Sequence, residues 1–124
     1  MTQHIVPASV VIDTKKNRIR IHRPTLRSLN DPKLIQLLVS PTQRAVAIRA
    51  VDQELPEEQT HRIVQRRLIN DYSYEIYSHL FVTRLCGIAG VPAQYVYKLT
   101  GSTWVEGRIA VFPLDSLERL ANDG

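Results

Sequence analysis

The sequence predicts an α+β, mainly β fold built from two βαββ units in tandem. Three observations predict it. Asn17 to Ala50 reads as a strand, a short helix opened by Pro24, and a hairpin turning at Ser40-Pro41-Thr42-Gln43. Tyr74 to Leu114 repeats that order: a strand at Tyr74 to Tyr77, a helix over Ser78 to Ile88 and a hairpin over Gln94 to Leu114. One such unit is too small to bury its own hairpin, whereas two together can close a small barrel or sandwich. The units span residues 9–51 and 61–114 of one 124-residue domain.

Met1 to Ala8 is expected to be a loose leader, because Pro7 discourages ladder pairing. Val10-Val11-Ile12 is a short β-branched run, and Asp13 to Asn17 supplies turn formers. Arg18-Ile19-Arg20-Ile21-His22 alternates, which places Ile19 and Ile21 on one face and Arg18, Arg20 and His22 on a cationic outer face. Pro24 suits the first position of a helix, where its missing N–H has no partner. Leu26 and Leu29 then point inward, and Asn30-Asp31-Pro32 ends the helix. Leu34 to Val39 and Arg44 to Ala50 are hairpin arms, apolar enough to be covered on both faces.

Val51 to Tyr72 admits two readings. Pro56-Glu57-Glu58 can open a helix, with Arg66 and Arg67 near its C-terminal end. Alternatively, His61 to Leu68 is a strand paired with Tyr74 to Tyr77. Beyond it, Ser78 is a good N-cap for a helix whose apolar face includes Leu80, Phe81, Leu85 and Ile88, and Gly87 or Gly90 ends that helix. Tyr95 to Leu99 and Arg108 to Phe112 form the second hairpin, around a longer loop, Thr100 to Gly107, that holds Trp104. Asp115 to Leu120 is expected to be a short closing helix. In the repeat, Ile21 corresponds to Ile76, Arg23-Pro24 to Ser78-His79, and Ile35 to Val39 to Tyr95 to Leu99.

Sixteen basic against twelve acidic residues give a net charge of +4, a mild bias toward nucleic acid. The basic residues concentrate at Lys15, Lys16, Arg18, Arg20, Arg23 and Arg27, a pattern able to meet a phosphate backbone or to guard an edge strand. Arg62, Arg66 and Arg67 form a second group that reads as a solvated face. His4, His22, His61 and His79 lack metal-ligand spacing, and Cys86 is the single cysteine, so no metal or cofactor is expected. Cys86 reads as core packing, and Tyr95 and Tyr97 as cross-strand filling. The glycines are isolated, and no nucleophile–base pair or carboxylate pair stands out, so the chain reads as a non-enzyme. No apolar run reaches bilayer length and no signal peptide is evident, so the expectation is a cytoplasmic protein without a membrane partner.

The first unit resembles the swapped-hairpin domain of the AbrB, MazE and MraZ transcription-factor superfamily. The resemblance rests on Lys15-Lys16-Asn17-Arg18-Ile19-Arg20-Ile21, on Leu26-Arg27-Ser28-Leu29, and on the hairpin arms around Ser40-Pro41. Asn17 stands where that family usually has a turn glycine, and His22 where a proline commonly ends the strand. The hairpin also resembles small uncharacterised proteins of bacterial mobile elements, which imply no activity. The superfamily resemblance implies that two units interlace into one swapped-hairpin-like barrel, so that a tandem chain is a monomeric pseudo-dimer; exposed hairpin edges leave a homodimer open. It also implies a DNA-binding transcriptional regulator whose contacts are Lys15, Lys16, Arg18, Arg20, Arg23 and Arg27. The alternative is a protein-interaction domain, antitoxin-like or a mobile-element accessory protein with a protein partner, or an uncharacterised structural module.

Overall fold

The structure is a computed structural model, and it describes residues 4–53, 60–63 and 73–120. The fold is mainly β: a curled antiparallel sheet in the form of a half-barrel, with two helices. In chain order the elements are β1 (Ile5–Asp13), β2 (Arg18–His22), α1 (Arg23–Ser28), β3 (Leu34–Ser40), β4 (Ala45–Val51), β5 (Thr60–Arg62), β6 (Ser73–Tyr77), α2 (His79–Ala89), β7 (Val96–Trp104), β8 (Ile109–Pro113), a 3₁₀ turn (Leu114–Ser116) and β9 (Glu118–Arg119).

Along the sheet the strands run β5-β3-β4-β8-β7-β1-β2-β6, and β9 joins β7 from outside that path. Strands distant in sequence are neighbours. β1 pairs with β7 from Ile5↔Trp104 to Asp13↔Val96, and β2 pairs with β6 through Ile19↔Ile76 and Ile21↔Tyr74. β4 pairs with β8 through Ile48↔Ala110. The tyrosine hydroxyl of Tyr74 on β6 donates to the Arg62 carbonyl on β5, at 3.2 Å, which links the two ends of the strand path.

The alternation of β2 has the expected result: Ile19 and Ile21 are fully buried, and Arg18, Arg20 and His22 face outward. The core holds Ile12, Ile19, Ile21, Leu26, Leu29, Ile35, Leu85, Leu99 and Phe112. α1 contributes Leu26 and its C-cap Leu29, and α2 contributes Phe81, Val82, Leu85 and Cys86. Ser78 caps α2 by accepting from Phe81 N at 3.2 Å, and Gly90 closes it at φ 71°. Only a residue tolerant of left-handed geometry can hold that C-terminal position, which decides for Gly90 over Gly87. Burial pushes the Cys86 thiol pKa up, as expected of a packed side chain.

The two hairpins turn alike. Each uses four residues, 41–44 and 105–108, and each ends on an arginine in the left-handed region, Arg44 at φ 49° and Arg108 at φ 54°. The carbonyls of these arginines reach across to the opposite hairpin: Leu114 N donates to Arg44 O and Ala50 N to Arg108 O, both at 2.9 Å.

Four local expectations are corrected. Residues 5–8 are strand rather than leader. Along Ile5–Ser9, β1 has only β7 beside it, because β2 pairs from Val10 onward, so a proline lacking its N–H is tolerated at Pro7. The second hairpin has no long loop: Thr100 to Trp104 continue β7. Gly101 permits this, since a Cβ there would lie 1.9 Å from the Val111 carbonyl oxygen. Residues 115–120 do not form a helix but a 3₁₀ turn and β9. The first hairpin is covered on both faces only in part: Leu34 to Leu37 are buried, while Leu38 to Ser40 are half-buried.

Between 51 and 72, Thr60–Arg62 is a strand, and its partner is β3 rather than Tyr74 to Tyr77. The expected helix start at Pro56-Glu57-Glu58, and Arg66 and Arg67, lie outside the described residues.

Candidate nucleic-acid interface

The outer face of the β7–β1–β2–β6 strip carries the chain's first basic stretch. Its pairing registers align Glu118, Lys98, Val11, Arg20 and Glu75 in one row across the strands. Val96, Asp13, Arg18 and Tyr77 form the next row. The strand face is therefore mixed in charge, a result of strands that the local sequence around β2 does not contain.

The six expected contact residues fall into three groups. Arg18 and Arg20 are engaged within the sheet. Arg18 Nη2 donates to Asp13 Oδ2 at 3.2 Å and Arg18 Nη1 lies 3.5 Å from Glu75 Oε2. Arg20 donates through Nε and Nη2 to Glu75 Oε2 at 3.2 and 3.1 Å. Lys15 and Lys16 are exposed on the β1–β2 turn, and Arg23 and Arg27 lie on α1, half-exposed and exposed. None of these last four has a carboxylate within ion-pair distance among the described residues. The five residues of β2 separate the two outlying groups by about 16 Å at ordinary strand rise.

The Lys15–Lys16 turn is held from several sides. Asp13, almost wholly buried, accepts from the backbone N–H of Lys15 and of Lys16 at Oδ1, 3.1 and 3.3 Å away. Thr14 Oγ1 donates to Tyr95 O at 2.6 Å, and Tyr95 N donates back to it at 3.1 Å. Asn17, at φ 54°, offers its carbonyl to Ser78 N at 2.9 Å. Asparagine tolerates that left-handed geometry, so the turn forms without glycine. Two bulky apolar side chains lie open on the elements tied to this turn: Tyr77, 62% exposed and the register partner of Arg18, and Leu80, 57% exposed in the first turn of α2.

His22 does not extend a cationic face. It is half-buried, its Nδ1 is 2.9 Å from Ser9 Oγ, and burial, with Lys98 and Arg20 nearby, lowers its pKa below 6.5. Tyr97 is buried and meets Tyr95 edge-on at 6.4 Å, and the Arg119 guanidinium sits 4.1 Å over the Tyr95 ring. That stacked arginine is a contact the sequence reading missed, because β9 carries no strand signal of its own.

Among the described residues no group of three or more His, Cys, Asp or Glu side chains is placed to hold a metal ion. Among them, too, no helix is long and apolar enough to cross a membrane. Searches against protein-family models, curated proteins and solved structures find no match to this chain.

Proposed function

We propose that this chain is a tandem swapped-hairpin pseudo-dimer that binds DNA through its first unit as a small transcriptional regulator. Strand pairing supports the architecture. β2-α1-β3-β4 and β6-α2-β7-β8 have the same element order. Exchanging the two halves turns the β1–β7 pairing into β5–β3, and leaves β2–β6 and β4–β8 as they are. Arg44 corresponds to Arg108 and Ala50 to Leu114 at one constant spacing, and their two cross-hairpin bonds exchange as well. On this spacing Ile35 corresponds to Leu99, a few residues later than apolar pattern alone aligns the arms, because α2 is longer than α1.

The observation that carries the DNA reading is the pinned 14–17 turn, which holds Lys15 and Lys16 outward with no opposing carboxylate among the described residues. The turn's backbone is already ordered, and the two ammonium groups meet a phosphate without first breaking an ion pair among the described residues. Arg23 and Arg27 supply a second pair of contacts. Arg18 and Arg20, engaged with Asp13 and Glu75, hold the platform and are lesser contributors. Function by likeness of fold is analogy; charge placement is the independent support.

The test is fluorescence anisotropy of a random-sequence duplex at low and near-physiological salt. Wild type is expected to bind with steep salt dependence. Lys15→Ala/Lys16→Ala, with folding checked by circular dichroism, is expected to weaken binding and lower the salt slope by roughly two, at about 0.9 per phosphate contact. No binding by wild type at low salt, or an unchanged slope in the variant, overturns the reading.

A second reading has an observation of its own. Tyr77 and Leu80, open beside the turn, suit a protein partner better than a phosphate backbone. Tight one-to-one capture of a co-encoded protein, lost in Tyr77→Ala/Leu80→Ala, would favour it.

A further inference from the structure

On the outer face, where α1 leaves β2, an open groove of about 440 Å³ is lined by Pro7, Ala8, Ser9, His22, Pro24, Thr25 and Thr100. Its walls are mostly apolar, as in small-molecule sites of this volume. The two prolines are exposed, and each comes from an element fixed at its base. Thr25 Oγ1 lies 3.3 Å from both Ser9 N and Ser9 O, which ties α1 to β1 at the groove floor. Thr100 N donates to Ser116 Oγ at 3.0 Å, which steadies the β7 wall.

One ionisable side chain lies in this apolar lining. His22 Nδ1 is engaged with Ser9 Oγ, and Nε2 has no protein partner among the described residues. Lys98 is two residues before Thr100 on the same face of β7, and it forms no ion pair among the described residues. Arg23 follows His22 directly. The groove thus combines an apolar trough and one imidazole with a spare nitrogen, and the cations Lys98 and Arg23 lie close along the chain to its lining residues Thr100 and His22.

We infer that this groove binds a small carboxylate with an apolar body, the body lying between Pro7 and Pro24 and the carboxylate meeting His22 Nε2 and Lys98. Charge complementarity selects this occupant. A neutral imidazole presents an N–H at Nε2 when Nδ1 accepts from the Ser9 hydroxyl, and the Lys98 ammonium forms no ion pair among the described residues, so a carboxylate finds two donors at one end of the trough. A neutral apolar compound would fill the same trough and leave Lys98 without an ion-pair partner, whereas Arg20 is already bonded to Glu75. The inference is independent of the DNA reading.

The probe is phenylacetate, followed by amide-resolved NMR of the whole chain, with phenylacetamide as the neutral isostere and acetate as the bare head group. Phenylacetate is expected to give saturable shifts at Ser9, Thr25 and Thr100. Phenylacetamide is expected to bind about tenfold or more weakly, a difference of about 1.4 kcal/mol, and acetate to leave those amides unmoved. Lys98→Ala, on an outer-face position, should weaken phenylacetate and leave phenylacetamide unchanged; His22→Ala should weaken both. Absence of saturable shifts in wild type overturns the inference, as does equal affinity for acid and amide. Because the isostere series is read on wild type, a variant that fails to fold does not remove the test.

Discussion

Arg20 and Glu75 face each other as register partners of β2 and β6, and Arg20 donates twice to one oxygen, Glu75 Oε2. Both side chains are about one-third exposed, so solvent screens the pair and its contribution is modest, on the order of 0.5–1 kcal/mol. Glu75 Oε2 also lies 3.5 Å from Arg18 Nη1, so one carboxylate serves both arginines of β2.

Charge reversal should expose this. Glu75→Arg places three arginines together at Arg18, Arg20 and position 75, and is expected to destabilise by about 1 kcal/mol or more. Arg20→Glu/Glu75→Arg restores the opposite-charge register and should recover most of the loss. Urea midpoints of the single and double variants measure it; a double variant no more stable than Glu75→Arg would show that the pair has no coupling.

Two glycines should respond in opposite directions. Gly101→Ala forces a methyl against the Val111 carbonyl, a backbone atom that cannot swing aside, and is expected to cost at least about 2 kcal/mol. Gly87, on an exposed turn of α2, has nothing within 4 Å of an added Cβ. Gly87→Ala should therefore stabilise by about 0.5–1 kcal/mol through helix propensity. Denaturant midpoints compare the two directly.

His22 sets an acid-side dependence. Its folded pKa is lowered from 6.5 by burial first, then by Lys98 and Arg20. The unfolded chain therefore takes up the proton before the folded one. The stability associated with neutral His22 is complete above about pH 6.5 and is lost as pH falls toward the folded pKa. Lys98→Ala removes one repulsive charge, so the folded pKa should rise toward 6.5 and the acid loss should shrink. A ring-resonance NMR titration of wild type and variant checks the sign; an unchanged midpoint in Lys98→Ala would contradict it.

Much of the fold was legible where the signal is local. Alternation at Ile19 and Ile21, Pro24 at a helix entry, Ser78 as a cap and Gly90 as a stop each act within a few residues, and each element formed where its signal lies. The misread stretches depend on distant partners. Pro7 and Gly101 weaken a strand on propensity alone, yet both lie in the long β1–β7 ladder, where the neighbour chain supplies the pairing. β9, two residues long, exists only because β7 is beside it. For the candidate site, the basic residues were visible but their engagement was not. Asp13 lies five residues from Arg18, close enough to be noticed; Glu75 comes from another strand. A clue was present all the same: aligning Ile21 with Ile76 places Glu75 at the position equivalent to Arg20.

The β1–β7 ladder also bears on how the chain can be made. Ile5 lies opposite Trp104, so β1 leaves the ribosome well before the strand it pairs with. At ordinary elongation rates that delay is on the order of ten seconds. Through it β1 displays Val10, Val11 and Ile12 with no β7 to cover them, a window in which a nascent chain is exposed to holding chaperones or to its neighbours on the same message.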